Sequence, residues 1–182
     1  MLNDRNLTSK SVLKTILHKM VKTVSKKALK RIPKLKPGDK APDFEIPDQD
    51  GNILHLSEFK GKKVALYFYP KDDTTTCTVE SCNLRDNYSK LKRKGYEVIG
   101  ISNDSVKSHK KFEKKYKLPF RLGADTEKKV VSDYDVFGKK MLFGRTYDGI
   151  HRITYIINEK GIIERIITDV HSDAHTEQIL KG

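Results

Sequence analysis

Apolar residues gather in short runs along this chain, and the runs keep two different rhythms. Val64-Ala65-Leu66-Tyr67-Phe68-Tyr69 is apolar on both faces, as in a strand covered on two sides, and Pro70 ends it. Glu97 to Ser102 predicts a second strand. Between them, from about Cys77 to Lys92, Leu84, Tyr88 and Leu91 line one side of a helix, and Ser105 to Tyr116 predicts another. Strand, helix, strand in this order implies a βαβ unit with a parallel pair. Upstream, Phe44 to Ile46 and Ile53 to Leu56 flank Asp50-Gly51 and predict a small hairpin, followed by a helical turn at Ser57 to Phe59. Downstream, Ile153 to Ile157 and Ile162 to Ile167 flank Asn158-Glu159-Lys160-Gly161 and predict a second hairpin, with a short helix from about Ser172 to Leu180. Arg121 to Gly149 is less regular, with a short helical piece near Val130 to Tyr134.

The sum is βαβ followed by ββα around one mixed central sheet flanked by helices, the plan of an α/β, thioredoxin-like domain. Ahead of it, Val12, Leu13, Ile16, Leu17, Met20, Val21 and Val24 recur at helical spacing with lysines opposite, predicting an amphipathic helix over 11–31. Pro33 and Pro37 then form a linker, so residues 1–34 read as an extension and 35–182 as the domain.

Charge sharpens that division. The net charge is +13, yet residues 1–36 hold eleven Lys or Arg and one acid, Asp4. The rest is nearly balanced, which argues against a nucleic-acid face on the domain. The basic helix has two readings: it binds an anionic membrane surface, a partner or nucleic acid, or it packs its apolar stripe on its own domain or a second copy. No stretch approaches the ~20 apolar residues of a membrane span. Lys14, Lys19 and Lys22 interrupt any secretory core, so the cytoplasm is the expected location, with organelle targeting left open by an arm poor in acids.

Two cysteines, Cys77 and Cys82, sit in one short segment, a pattern of redox chemistry or half a metal site rather than a disulfide scaffold. The six histidines show no metal spacing with them, and His109 and His175 read as surface or capping residues. Cys77 falls where a buried strand feeds a helix, the place where open α/β sheets put their sites. A helix N-terminus offers free N–H groups and partial positive charge, which stabilise a thiolate, the nucleophilic form of cysteine.

At this point the chain resembles the peroxiredoxins, and in particular their bacterioferritin-comigratory or peroxiredoxin Q subgroup. The resemblance rests on a proline, a threonine four residues on and a cysteine three after that: Pro70, Thr74, Cys77. It extends through PGDKAPDF at 37–44, LYFYPKDDTTTCTVESCNLRD at 66–86, VIGISNDS at 98–105, LPF at 118–120 and GIHRITYIIN at 149–158. It implies a thiol peroxidase acting on hydroperoxides. Cys77 would attack the O–O bond and become a sulfenic acid. Thr74 would hydrogen-bond thiolate and peroxide, Arg152 would supply the cation, Pro70 would shield the site and Glu80 would orient Arg152. Cys82 would resolve the sulfenic acid to a disulfide, which a thioredoxin-like dithiol would reduce. The subgroup implies a monomer, with a dimer open, and no metal or organic cofactor, because sulfur carries the electrons.

The subgroup usually has Pro-Gly before the peroxidatic cysteine, where this chain has Thr75-Thr76, a change that bears on loop rigidity and rate. A thiol–disulfide oxidoreductase on the same fold is the alternative, but that chemistry favours CxxC, and here four residues separate the cysteines. On one regular helix their Cα atoms would lie ~8.7 Å apart, from a rise of ~7.5 Å and a rotation of ~140°. Disulfides rarely exceed about 6.8 Å, so the helix is predicted to unwind before they join.

Overall fold

The computed structural model describes residues 31–142 and 144–181. The basic helix expected over 11–31 therefore lies outside the described residues, save for Arg31. The elements are β1 (Glu45–Pro47), β2 (Ile53–His55), a 3-10 turn at Leu56–Phe59 and β3 (Lys63–Phe68). There follow α1 (Thr75–Asp86), α2 (Tyr88–Arg93), β4 (Tyr96–Ser102), α3 (Val106–Tyr116), β5 (Arg121–Ala124) and α4 (Lys129–Asp133). The chain continues through β6 (Phe137–Leu142), β7 (Arg145–Ile150), β8 (Ile153–Ile157), β9 (Ile163–Ile167) and α5 (His175–Leu180). Among the described residues no helix is long and apolar enough to cross a membrane.

Five strands form the central sheet in the order β5-β4-β3-β8-β9. β3 runs parallel to β4, with Tyr67 opposite Gly100, and antiparallel to β8, with Tyr67 opposite Thr154. The sheet is mixed, as the βαβ and ββα patterns require. Alternation along β3 divides the core. Val64, Leu66 and Phe68 join Leu54, Val130, Val131 and Tyr134 on one face. Ala65, Tyr67 and Tyr69 join Cys77 and Leu84 of α1, Leu91 of α2, Phe112 of α3 and Ile179 of α5 on the other. All the side chains from Val64 to Tyr69 are at most 1% exposed, which is why that run carries no polar residue.

Gly100 is needed for this packing. A Cβ there would lie 2.7 Å from the Tyr67 ring, so glycine opens the slot into which that ring lies. The Tyr67 hydroxyl then reaches Ser81 Oγ on α1 at 3.1 Å, tying the helix to the sheet.

Two segments depart from the sequence reading. The helix expected from Cys77 to Lys92 starts at Thr75 and is interrupted at Asn87, whose side-chain amide donates back to the Asn83 carbonyl at 2.9 Å and caps the first part. The irregular stretch 121–149 contains β5 and the β6–β7 hairpin, which turns at Gly144 with φ +76°. From Arg145 to Asp148 every residue of β7 is exposed, so no alternation of apolar and polar positions marks it.

Candidate active site

β3 ends at the loop 70–74, which carries Pro70 and Thr74 into α1. A polar cluster below the loop holds it. Asp72 accepts hydrogen bonds from the Tyr69 hydroxyl and the Ser108 hydroxyl, each at 2.7 Å, and its own N–H donates to Asp104 Oδ2 at 2.8 Å. His109 of α3 places Nδ1 2.9 Å from Asp72 Oδ2 and Nε2 3.1 Å from the Gly123 carbonyl oxygen. A carbonyl only accepts, so Nε2 carries a proton. The expectation of a surface or capping His109 is thus corrected, and the same holds for His175; both are fully buried. Polar groups on other elements face each ring: Asp72 and Gly123 for His109, Glu80 and Thr154 for His175. Asp73 adopts φ +55°, held by the Tyr116 hydroxyl at 2.6 Å and by Lys115.

Cys77 is the third residue of α1 and is 1% exposed. The first turn holds no acidic residue, so no carboxylate competes for the positive helix end. Arg152 reaches the cysteine from just before β8: Nη2 donates to Cys77 Sγ at 3.3 Å, while Nη1 donates to Glu80 Oε2. Glu80, three residues beyond Cys77 and so on the same side of the helix, is fully buried. Burial alone would lower the Arg152 pKa, but the Glu80 carboxylate and the Cys77 sulfur outweigh it and hold the guanidinium above its ordinary value. The other Glu80 oxygen, Oε1, lies 3.2 Å from His175 Nδ1, and His175 Nε2 lies 2.9 Å from Thr154 Oγ1. Sulfur, guanidinium, carboxylate and imidazole thus form one buried line joining α1, β8 and α5.

Lys140 of β6 is an electrostatic neighbour that pattern reasoning missed. Its ammonium donates to the Ile150 carbonyl at 2.8 Å. Burial and repulsion from Arg152 hold it below the usual lysine range, against the pull of the Cys77 sulfur. Nothing in the unpatterned hairpin around it signalled this.

The remaining expected residues stand as follows. Thr74 is the residue before the helix, and its carbonyl accepts the Thr78 N–H at 2.8 Å. Its hydroxyl makes no cap and donates to the Lys71 carbonyl at 3.1 Å. Pro70 is partly buried at the end of β3. Cys82 lies in the same helix as Cys77, and both thiols are free. Burial raises the Cys82 pKa, with Arg85 offsetting part of the effect. The structure therefore brings together Cys77, Arg152 and Glu80, leaves the Thr74 hydroxyl engaged elsewhere, and keeps Cys82 on an intact helix.

Comparison with known proteins gives this geometry a context. The AhpC/TSA family model matches residues 37–166. The bcp peroxiredoxin relative of Coxiella burnetii is 47% identical over 143 residues, covering 79% of this chain and 95% of its own length. Chloroplastic peroxiredoxin Q of Populus jackii is 44% identical over 149 residues, covering 81% of this chain and 68% of its own. Among solved structures, peroxidoxin BcpB of Mycobacterium tuberculosis is similar with a TM-score of 0.71 at 31% identity, over 80% of this chain and 94% of the other. The chain belongs to the AhpC/TSA family, among its Bcp and peroxiredoxin Q members.

Proposed function

We propose that this protein reduces hydroperoxides to water or alcohols with Cys77 as nucleophile and Cys82 as resolving thiol. One observation carries the reading: a single guanidinium, fixed by a buried carboxylate, donates to the sulfur at a helix start. That arrangement holds a cation against the attacking sulfur and offers it to the charge that develops on the leaving oxygen. The Cys77 thiolate attacks one peroxide oxygen, an S–O bond forms and the O–O bond breaks. Sulfur loses two electrons, and the departing oxygen takes up a proton to leave as water or alcohol. In this reading the Thr74 hydroxyl exchanges its bond to Lys71 for one to the peroxide, and Pro70 limits water at the mouth.

The Cys82 thiol gives up its proton and attacks the sulfenic sulfur; the S–S bond forms, the S–O bond breaks, and the hydroxide leaves with that proton as water. Both residues sit in α1, so this step requires its first turns to open. Opening breaks the contacts of Cys77 and Glu80 with Arg152. A thioredoxin-like dithiol reduces the disulfide, taking its oxidation onto its own two sulfurs, and the helix re-forms.

The test is peroxide consumption coupled to thioredoxin and its reductase. Wild type turns over, Cys77→Ser is inactive, and Cys82→Ser reacts once without cycling. Continued cycling by Cys82→Ser overturns the role of Cys82. Absence of turnover by wild type, with disulfide exchange retained, favours the oxidoreductase alternative.

A further inference from the structure

Glu80 Oε1 and His175 Nδ1 are both buried, and neither has an aligned hydrogen bond among the described residues. They nevertheless face one another at 3.2 Å, within ion-pair reach but off the N–H line. Leaving a carboxylate oxygen unsatisfied in a fully buried place is costly, and the cost falls only if the facing nitrogen presents a proton. Three elements face the ring. Glu80 faces it from α1, Thr154 from β8 at 2.9 Å, and the Tyr67 ring from β3, edge-on with centroids 6.1 Å apart. Arg152, also next to β8, is engaged by Glu80 and Cys77. When the Thr154 hydroxyl donates to Nε2, the proton of a neutral ring sits on Nδ1, facing Glu80; when it accepts from Nε2–H, Nδ1 carries a proton only in the imidazolium.

Charge counting points the same way. With Cys77 as thiolate, Glu80 as carboxylate and Arg152 as cation, the line carries one net negative charge, which the Lys140 ammonium, in electrostatic reach of Cys77 and Arg152, offsets from outside it. At the Glu80 end, an Nδ1–H on His175 is the donor that faces the carboxylate. If that donor is absent, Glu80 pulls on Arg152 alone or takes up a proton itself, and the guanidinium is no longer fixed toward Sγ.

The geometry points to His175 as a positioning residue of the peroxidatic site, its Nδ1–H fixing Glu80 so that Glu80 holds Arg152 against Cys77. This rests on the proposed role of Cys77 but is tested without peroxide. In full-length Cys82→Ser protein, Cys77 is alkylated with iodoacetamide from pH 5 to 9. His175→Phe keeps the ring volume without a donor. It is expected to move the profile upward by about one pH unit and slow alkylation at neutral pH by about tenfold. His175→Asn, whose amide nitrogen sits near the Nδ1 position, is expected to return the rate to within about threefold of the parent. In a Glu80→Gln background the same His175→Phe change should add little, since its effect passes through Glu80.

An unshifted profile in His175→Phe overturns the inference. So does equal impairment of Phe and Asn variants, or an undiminished effect in the Glu80→Gln background; either would make His175 a packing residue. Far-UV circular dichroism confirms folding of each variant, and Glu80→Gln supplies an independent arm if His175→Phe does not fold. Loss of peroxide turnover with this alkylation pattern intact would count against the peroxidase reading alone.

Discussion

Arg152→Lys isolates what the guanidinium contributes beyond its charge. Arginine serves two partners at once, with one nitrogen toward Glu80 and another 3.3 Å from Cys77 Sγ. Two unit charges at that separation interact by about 5 kcal/mol at an effective dielectric of ~20. An ammonium is a single point, and the fully buried Glu80 carboxylate draws it away from the sulfur. Doubling the separation halves the attraction, a loss of about 2.5 kcal/mol and so roughly 10²-fold in rate. The assay is stopped-flow oxidation of Cys77 in a single turnover, beside urea denaturation. Stability should fall by no more than about 1–2 kcal/mol, because Glu80 keeps a cation. Arg152→Met, which leaves Glu80 without it, should lose about 3–5 kcal/mol. Oxidation of folded Arg152→Lys within about threefold of wild type would refute the two-partner argument.

Two further outcomes are expected. Oxidation to the Cys77–Cys82 disulfide should remove about two turns of helix from the circular dichroism signal and expose the amides of residues 77–82 to hydrogen exchange; an oxidised structure with α1 intact would contradict it. Glu97 lies between Lys62, at 3.1 Å, and Lys92. Burial raises its carboxyl pKa, but the two ammonium groups outweigh this and hold it below the ordinary value, so its contribution exists above the unfolded carboxyl value and is lost as pH falls through the folded one. With both lysines half-exposed, Glu97→Gln should cost about 0.5–1 kcal/mol at neutral pH and nothing below about pH 3 by urea denaturation, and an equal cost at both would contradict the assignment.

What the sequence revealed follows from what each segment does. β3 and β8 are covered on both faces, so continuous apolar runs announce them. The β6–β7 hairpin is largely solvated and lacks any such signature. Cys77 and Arg152 stand 75 residues apart, and only resemblance to a family joined them before the sheet order did. His109 and His175 sit among polar residues in HKKF and DAHTEQ, where nothing local marks burial. Their partners come from other elements: Asp72 and Gly123 for one, Glu80 and Thr154 for the other. Buried polar contacts of this kind are fixed by tertiary geometry, and a periodicity argument does not see them.

Asn83 follows Cys82 immediately, and its side chain grips the C-terminal segment. It donates to the Asp173 carbonyl at 2.7 Å and accepts from the Thr176 N–H and hydroxyl, each at 2.9 Å. The C-terminal part of α1 is consequently anchored from outside the helix. If the portion carrying both sulfurs opens as proposed, it gives up the Tyr67–Ser81 hydrogen bond and the burial of Cys77 and Glu80, while Asn83 and the fully buried Leu84 keep the remainder seated on α5 and the sheet. The clamp acts as a stop for fraying. In the proposed two-cysteine cycle it would confine the opening to about two turns of helix and leave the strands of the core in place.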